Sequence, residues 1–325
     1  MRLPDLRPRR AVPAALLAAV LLLTGCGGGS AASEADAPGT STSAPRSTSA
    51  APTTTAPPTP TQLVLPTGGT RVFPEHRLVG FSGAPGSAAL GPMTGDLAAA
   101  TQRLRDQAVP YGADRTVLPT YELIATTAHP FPGPAGTFSG PADDAVVQQY
   151  LDAARAGGGI LLLGIQPGNQ DFLPAVQHYE RWLKEPDVGV ALDPEWAVDP
   201  GQVPGDVFGS TTGAELDSVS AYLDGLVTTH RLPQKVMLYH QLHAQIVTGQ
   251  EVLVDRPGVA VVKSVDGIGA AADKVATYQR VMEGTPPFVH AGFKLFYEED
   301  TRSGPLMDPA AVLALVPQPE YVLYE

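Results

Sequence analysis

From residue 63 onward the chain alternates between two hydrophobic patterns. Short apolar runs occur at 78–81, 117–124, 160–165, 188–192, 235–240, 259–265, 293–297 and 321–324. Their length and flanking turn residues predict strands. Between most of them, apolar residues recur every three or four positions. Leu97, Thr101, Leu104 and Ala108 form one stripe. Val146, Val147, Tyr150, Leu151 and Ala154 form another, entered through Ser139 and Pro141. Leu216, Val219, Tyr222, Leu223 and Leu226 form a third, starting near Thr211 or Thr212; Val275, Tyr278 and Met282 form a fourth. Ala311, Leu313 and Leu315 mark a short fifth, and residues 171–184 read as helical with a less regular face. Such spacing predicts amphipathic helices.

Strand followed by helix, repeated to eight strands, predicts an α/β fold of the (β/α)8, TIM-like barrel type over residues 63–325. An open doubly wound sheet is the alternative. The glycines after the first strand, in GFSGAPGSAALG, do not fall at the offsets of a dinucleotide-binding loop. No helix follows the strand at 321–324, and residues 63–76 are expected to cover the resulting gap.

The most informative stretch is 188–196, VGVALDPEW. Side chains alternate along a strand, so Val188, Val190 and Leu192 share one face, while Gly189, Ala191, Asp193 and Glu195 share the other. One face is bulky and apolar, as against a layer of helices. The other begins small and ends acidic, as in a crowded interior with a polar mouth.

Ligands of such barrels bind where the strands end. Reading those ends gives candidate catalytic residues Glu195 and Asp193. Candidate substrate-binding residues are Glu122, Tyr121, Trp196, His240, Gln241, Asp266, Tyr297 and Glu298. Carboxylates with aromatic rings suit sugars: the rings stack on apolar sugar faces, and the carboxylates supply acid, base and hydroxyl contacts. Two carboxylates on one wall push their proton affinities apart, so that one stays protonated as its neighbour ionises. A structural role for the pair is the alternative, with Asp193 capping the Pro194 turn and Glu195 paired to Lys294 or Lys263. His240 and His243 lack the glutamate of a metalloprotease helix, and no metal or other cofactor is expected. Ser82, Ser210 and Ser264 lack a nucleophile-elbow context.

LDPEW resembles the Asp-x-Glu strand end of glycosidase barrels such as the Chalaropsis-type lysozymes and the chitinases. That resemblance implies Glu195 as proton donor and Asp193 as the residue that orients substrate or intermediate. The first strand ends in Phe81-Ser82-Gly83 without the carboxylate of the lysozyme group. Gly189 and Ala191 stand where chitinases carry upstream acids. Residues 77–325 are also similar to uncharacterised actinobacterial lipoproteins with DPEW, HQ and FKLFYEED blocks, a resemblance that implies no particular activity.

The N-terminal region adds a location. Arg2, Arg7, Arg9 and Arg10 precede an apolar stretch, 11–23, and then Leu23-Thr24-Gly25-Cys26. This resembles the lipobox of bacterial lipoproteins and implies a signal peptide at 1–25, a lipidated Cys26 and an anchor at the extracytoplasmic face of the cell membrane. An ordinary secretory leader with a stray cysteine is the alternative. Residues 26–62, rich in Ser, Thr, Pro and Ala, hold almost no large apolar side chain and predict a disordered tether. The single cysteine excludes an internal disulfide and a cysteine metal cluster. Without residues 1–25 the chain carries 17 basic and 32 acidic residues, a net charge of −15. Such a body disfavours nucleic acid and suits a polysaccharide or other neutral small-molecule ligand. A barrel that binds carbohydrate or scaffolds the envelope without catalysis is the second functional reading, because fold alone does not choose.

Overall fold

A computed structural model describes residues 61–325. The signal peptide, Cys26 and nearly all of the tether expected at 26–62 lie outside the described residues. Eight parallel strands close into a barrel: β1 (His76–Gly83), β2 (Thr116–Ala128), β3 (Ile160–Ile165), β4 (Val188–Leu192), β5 (Lys235–Gln241), β6 (Val259–Val265), β7 (His290–Leu295) and β8 (Tyr321–Tyr324). Closure is made by β1, which pairs in parallel with both β2 and β8. The connecting helices are α1 (Leu97–Ala108), α2 (Asp144–Gly157), the short α3 (Phe172–Gln177) and α4 (Glu180–Leu183), α5 (Gly213–His230), α6 (Ala271–Met282) and α7 (Pro309–Leu313). The protein is therefore an α/β, (β/α)8 TIM-like barrel. Among the described residues no helix is long and apolar enough to cross a membrane.

Strand phase sorts side chains into two cores. Val188, Val190 and Leu192 pack with the helices, whereas Ala191 lies in the interior with Leu162, Leu238 and Val262. Gly189 has a steric cause: a Cβ there would sit 2.5 Å from the Val236 carbonyl oxygen and 2.9 Å from Leu162. The small inner face of β4 is what lets its neighbours close around it.

Three local expectations change. Ser139 and Pro141 belong to a short strand, Ser139–Pro141, antiparallel to the end of β2, and α2 starts only after Asp143. Residues 171–184 are two short helices, broken where the Tyr179 hydroxyl turns in to donate to the Ala125 carbonyl at 2.5 Å. Residues 63–76 do not replace an eighth helix. Leu65, Val72 and Phe73 join the interior core as a plug at the floor, the end where the strands begin. Gln62 donates to the carbonyls of Arg231 and Leu232 just ahead of β5, and Phe73 stacks on His290 at 3.9 Å. An open barrel floor would leave interior apolar surface wet, and this segment removes it. On the outer side of β1 and β8, aromatic rings pack against one another. The Tyr111 and Tyr324 hydroxyls are 2.7 Å apart, Tyr297 stacks on Tyr324 at 5.4 Å, and Phe81 meets both rings edge-on. A hollow of about 600 Å³ remains there, against Phe81, Arg103 and Tyr297.

Candidate active site at the barrel mouth

The inward phase of each strand, followed to its carboxyl end, assembles one polar layer above the apolar interior. It contains Glu122 from β2, Asp193 after β4, His240 from β5, Ser264 from β6 and Asp266 just past it, Lys294 from β7, and Tyr321 from β8 with Glu325 just past it. His240 is the hub. Its Nδ1 lies 2.7 Å from Asp266 Oδ2, and its Nε2 lies 3.2 Å from Glu122 Oε1 and 3.7 Å from Asp193 Oδ1. The Glu122 approach is too oblique for a hydrogen bond, so that nitrogen and that oxygen both lack one. Tyr321 donates to Glu122 Oε2 at 2.8 Å, and Ser264 donates to Asp266 Oδ1 at 2.7 Å. Lys294 Nζ lies 2.9 Å from Glu325 and 3.5 Å from Asp266.

Charge follows from this geometry. Burial opposes ionisation of Asp266, but His240 and Lys294 outweigh it and hold the carboxyl down to about 2. Burial likewise opposes the charge on Glu122, and His240 outweighs it, so its pKa is lowered. His240 is itself opposed by burial, but Asp266 and Glu122 raise it well above the ordinary imidazole range. Together these form a compensated buried cluster, in which each charge is stabilised by the other.

Asp193 and Glu195 are different. Asp193 is 5% exposed and has no side-chain hydrogen bond to its own turn. Burial raises its pKa to about 6, with His240 and Lys294 resisting the shift. Glu195 has one oxygen, Oε2, buried without a hydrogen-bond partner. Burial and the neighbouring Asp193 push it up to about 8. Neither lysine that could have locked it does so: Lys294 pairs with Glu325 and Asp266, and Lys263 donates to the Val281 carbonyl at 2.7 Å. Both acids line a cleft of about 410 Å³ at the mouth, together with Gln166, Trp196, Asp266 and Lys294.

The remaining expected residues divide cleanly. Trp196 borders the cleft. Glu122 and His240 sit beneath its floor, 1% exposed or less. Tyr121 points to the helices, where its hydroxyl donates to Thr101 at 3.0 Å. Gln241 donates to the carbonyls of His243 and Ala244, holding the turn after β5. Tyr297 packs outside the barrel on Tyr324. Glu298 is exposed and its nearest cation is Arg302, at 3.5 Å. His243 is not a second ligand beside His240; its ring meets Phe208 edge-on at the rim. Among the described residues no group of three His, Cys, Asp or Glu side chains is placed to hold a metal ion.

Fold and site together define a (β/α)8 barrel with an acid-lined cleft at the carboxyl ends of its strands. No protein-family profile matches the sequence, and no curated protein does.

The raised acid has a thermodynamic consequence. Between the ordinary glutamate range and about pH 8, folded Glu195 holds a proton that the unfolded chain releases. Stability from this residue is therefore present in acid and lost as pH rises through that window. Glu195→Gln removes the dependence. Its melting temperature is expected to exceed wild type by several degrees at pH 8 and to converge with it near pH 4, as calorimetry at the two pH values will show. Equal melting points at pH 8 would mean that Glu195 ionises freely.

Proposed function

We propose that this protein is a membrane-anchored, extracytoplasmic glycosidase-like hydrolase acting on cell-envelope polysaccharide, with Glu195 as general acid and Asp193 as its partner. The observation that carries the reading is Glu195: an uncommitted, partly buried carboxyl opening on a cleft, beside a second acid of lower proton affinity. Above about pH 6 Asp193 is ionised and Glu195 still protonated. Glu195 gives its proton to the bridging oxygen, and the sugar carbon–oxygen bond breaks with its electron pair left on that oxygen. Positive charge develops on the sugar ring and faces the Asp193 carboxylate, the electrostatic term that lowers the barrier. Water then supplies hydroxyl to the sugar carbon, and its remaining proton restores Glu195. The Asp-x-Glu resemblance supports the same roles.

A lipid on Cys26 would complete the arrangement. The described chain enters at the floor of the barrel, where Gln62 bonds to Arg231 and Leu232.

The test is release of reducing ends from a panel of envelope glycans across pH. Activity is expected to rise as Asp193 loses its proton near pH 6 and to fall as Glu195 loses its own near pH 8. The two limbs belong to the interacting pair as a unit. If no glycan is cleaved, or if cleavage is flat between those limbs and beyond them, the hydrolytic reading fails. Binding without turnover would leave a carbohydrate-binding barrel in its place.

A further inference from the structure

Glu195 stands where two cavities meet. The mouth cleft and a second chamber of about 270 Å³ share Glu195, Trp196 and Phe208. Both are walled mainly by apolar surface, and they differ in the charges they add to it. The cleft carries Asp193, Asp266, Lys294 and Glu325, whereas the chamber is completed by Gly205, Asp206 and Val207. Asp193, the acid beside Glu195, opens on the cleft side alone.

The segment that walls the chamber is pinned at both ends. Val198 N donates to the Gly168 carbonyl at 2.8 Å. On the return, Gly209 N donates to the Glu195 carbonyl at 2.7 Å, and Ser210 N to that of Ala197 at 2.9 Å. Gly209 packs so closely that a Cβ would run into the Ala197 backbone. Gly205, at a φ of 91°, turns the segment against the Trp196 ring. Phe208 immediately precedes the pin on Glu195, yet it is 67% exposed. With Val207, itself 42% exposed, it forms an apolar rim beside the partly buried acid, in a concave site of the kind that takes a ligand.

We propose that this chamber is the leaving-group subsite, and that it takes a ring by its apolar face between Trp196 and Phe208 while the cleft, which holds Asp193, takes the sugar whose bond is broken. The assignment rests on the reading of Glu195 as proton donor. The bridging oxygen sits at the junction, takes the proton and the bonding electron pair, and departs as an alcohol through the chamber. The substrate class is thereby narrowed to glycosides whose leaving group presents a flat apolar face, a stacked pyranose or an aromatic ring. A small or highly charged leaving group would gain nothing there.

Benzyl alcohol, a leaving-group mimic that needs no knowledge of the sugar, is the probe. The chain has two tryptophans, and Trp182 is only 4% exposed in the helical layer. A saturable change in tryptophan emission on titration with benzyl alcohol, absent in Trp196→Phe, is expected. Phe208→Ala should weaken that binding about tenfold, the value of one aromatic contact. Phe208 is exposed, so the variant should fold, with an unchanged circular-dichroism spectrum as the check. Absence of saturable binding up to the solubility limit overturns the proposal. So does equal binding by wild type and Phe208→Ala. Binding that is lost in Phe208→Ala, in a protein that cleaves no glycan, would sustain the chamber and sink the hydrolytic reading, so the two are separable.

Discussion

Asp266→Asn is expected to lower stability at neutral pH by about 3 kcal/mol, the lower end of what removing one partner of a buried charge cluster costs. The residue touches three groups at once: His240 Nδ1 at 2.7 Å, Ser264 at 2.7 Å and Lys294 at 3.5 Å. The amide keeps the volume but removes the charge, so His240 loses its closest counter-ion inside the barrel. Two compensations hold the loss to the lower end. His240 can release its proton, and Lys294 keeps Glu325 at 2.9 Å. For a domain of this size the melting temperature falls by about 6–12 °C. The effect depends on pH in a defined direction. Folded Asp266 titrates at about 2, below the ordinary value of 3.8, so its contribution is present above about pH 4 and is lost as pH falls toward 2. Wild type and variant should converge in strong acid. Combining Asp266→Asn with His240→Gln should cost less than the sum of the two single changes, because the second removes the charge the first leaves uncompensated. Additive losses in denaturant titrations would refute this account of the cluster.

The fold was legible because strand phase and helix stripe are local signals. The inward phase of β4 was readable in Gly189 and Ala191 and carries on to Asp193 just past the strand; Glu195 lies in the 3-10 turn Pro194–Trp196, where alternation no longer applies, and it is that turn which brings it to the cleft beside Asp193. The same rule, applied strictly, separates the residues that reach the polar layer from those that do not. Adjacent residues of a strand face opposite ways, so Tyr121 cannot accompany Glu122, nor Gln241 accompany His240. At β7 the error was in the boundary. The apolar run suggested 293–297, whereas the strand is His290–Leu295, so its last inward residue is Lys294 and Tyr297 lies beyond it. Tyr321 has the inward phase of β8 and could have been found by counting in twos. Phe208 could not, because it is brought to Glu195 by backbone hydrogen bonds of an irregular segment, which leave no periodic trace in sequence.

Glu195→Gln is expected to reduce turnover of the glycan that wild type cleaves by a factor of at least about 100, within the range general acid catalysis supplies. That factor corresponds to roughly 2.7 kcal/mol of transition-state stabilisation. Glutamine preserves shape and can still donate a hydrogen bond, but it cannot transfer a proton, so binding should persist while kcat falls. Asp193→Asn should also lose activity, for a different reason: it removes the negative charge facing the developing cation rather than the proton. A dinitrophenyl glycoside separates the two roles. Its leaving group departs without protonation, so Glu195→Gln should recover nearly all of its deficit on that substrate, whereas Asp193→Asn should not. The order cannot reverse if the assignment is right, because Glu195, with one buried oxygen unpartnered, holds its proton to about pH 8, whereas Asp193 loses its own near pH 6. Equal deficits for Glu195→Gln on both substrates would show that the residue positions rather than donates. An undiminished rate on the natural glycan would remove it from the chemistry altogether.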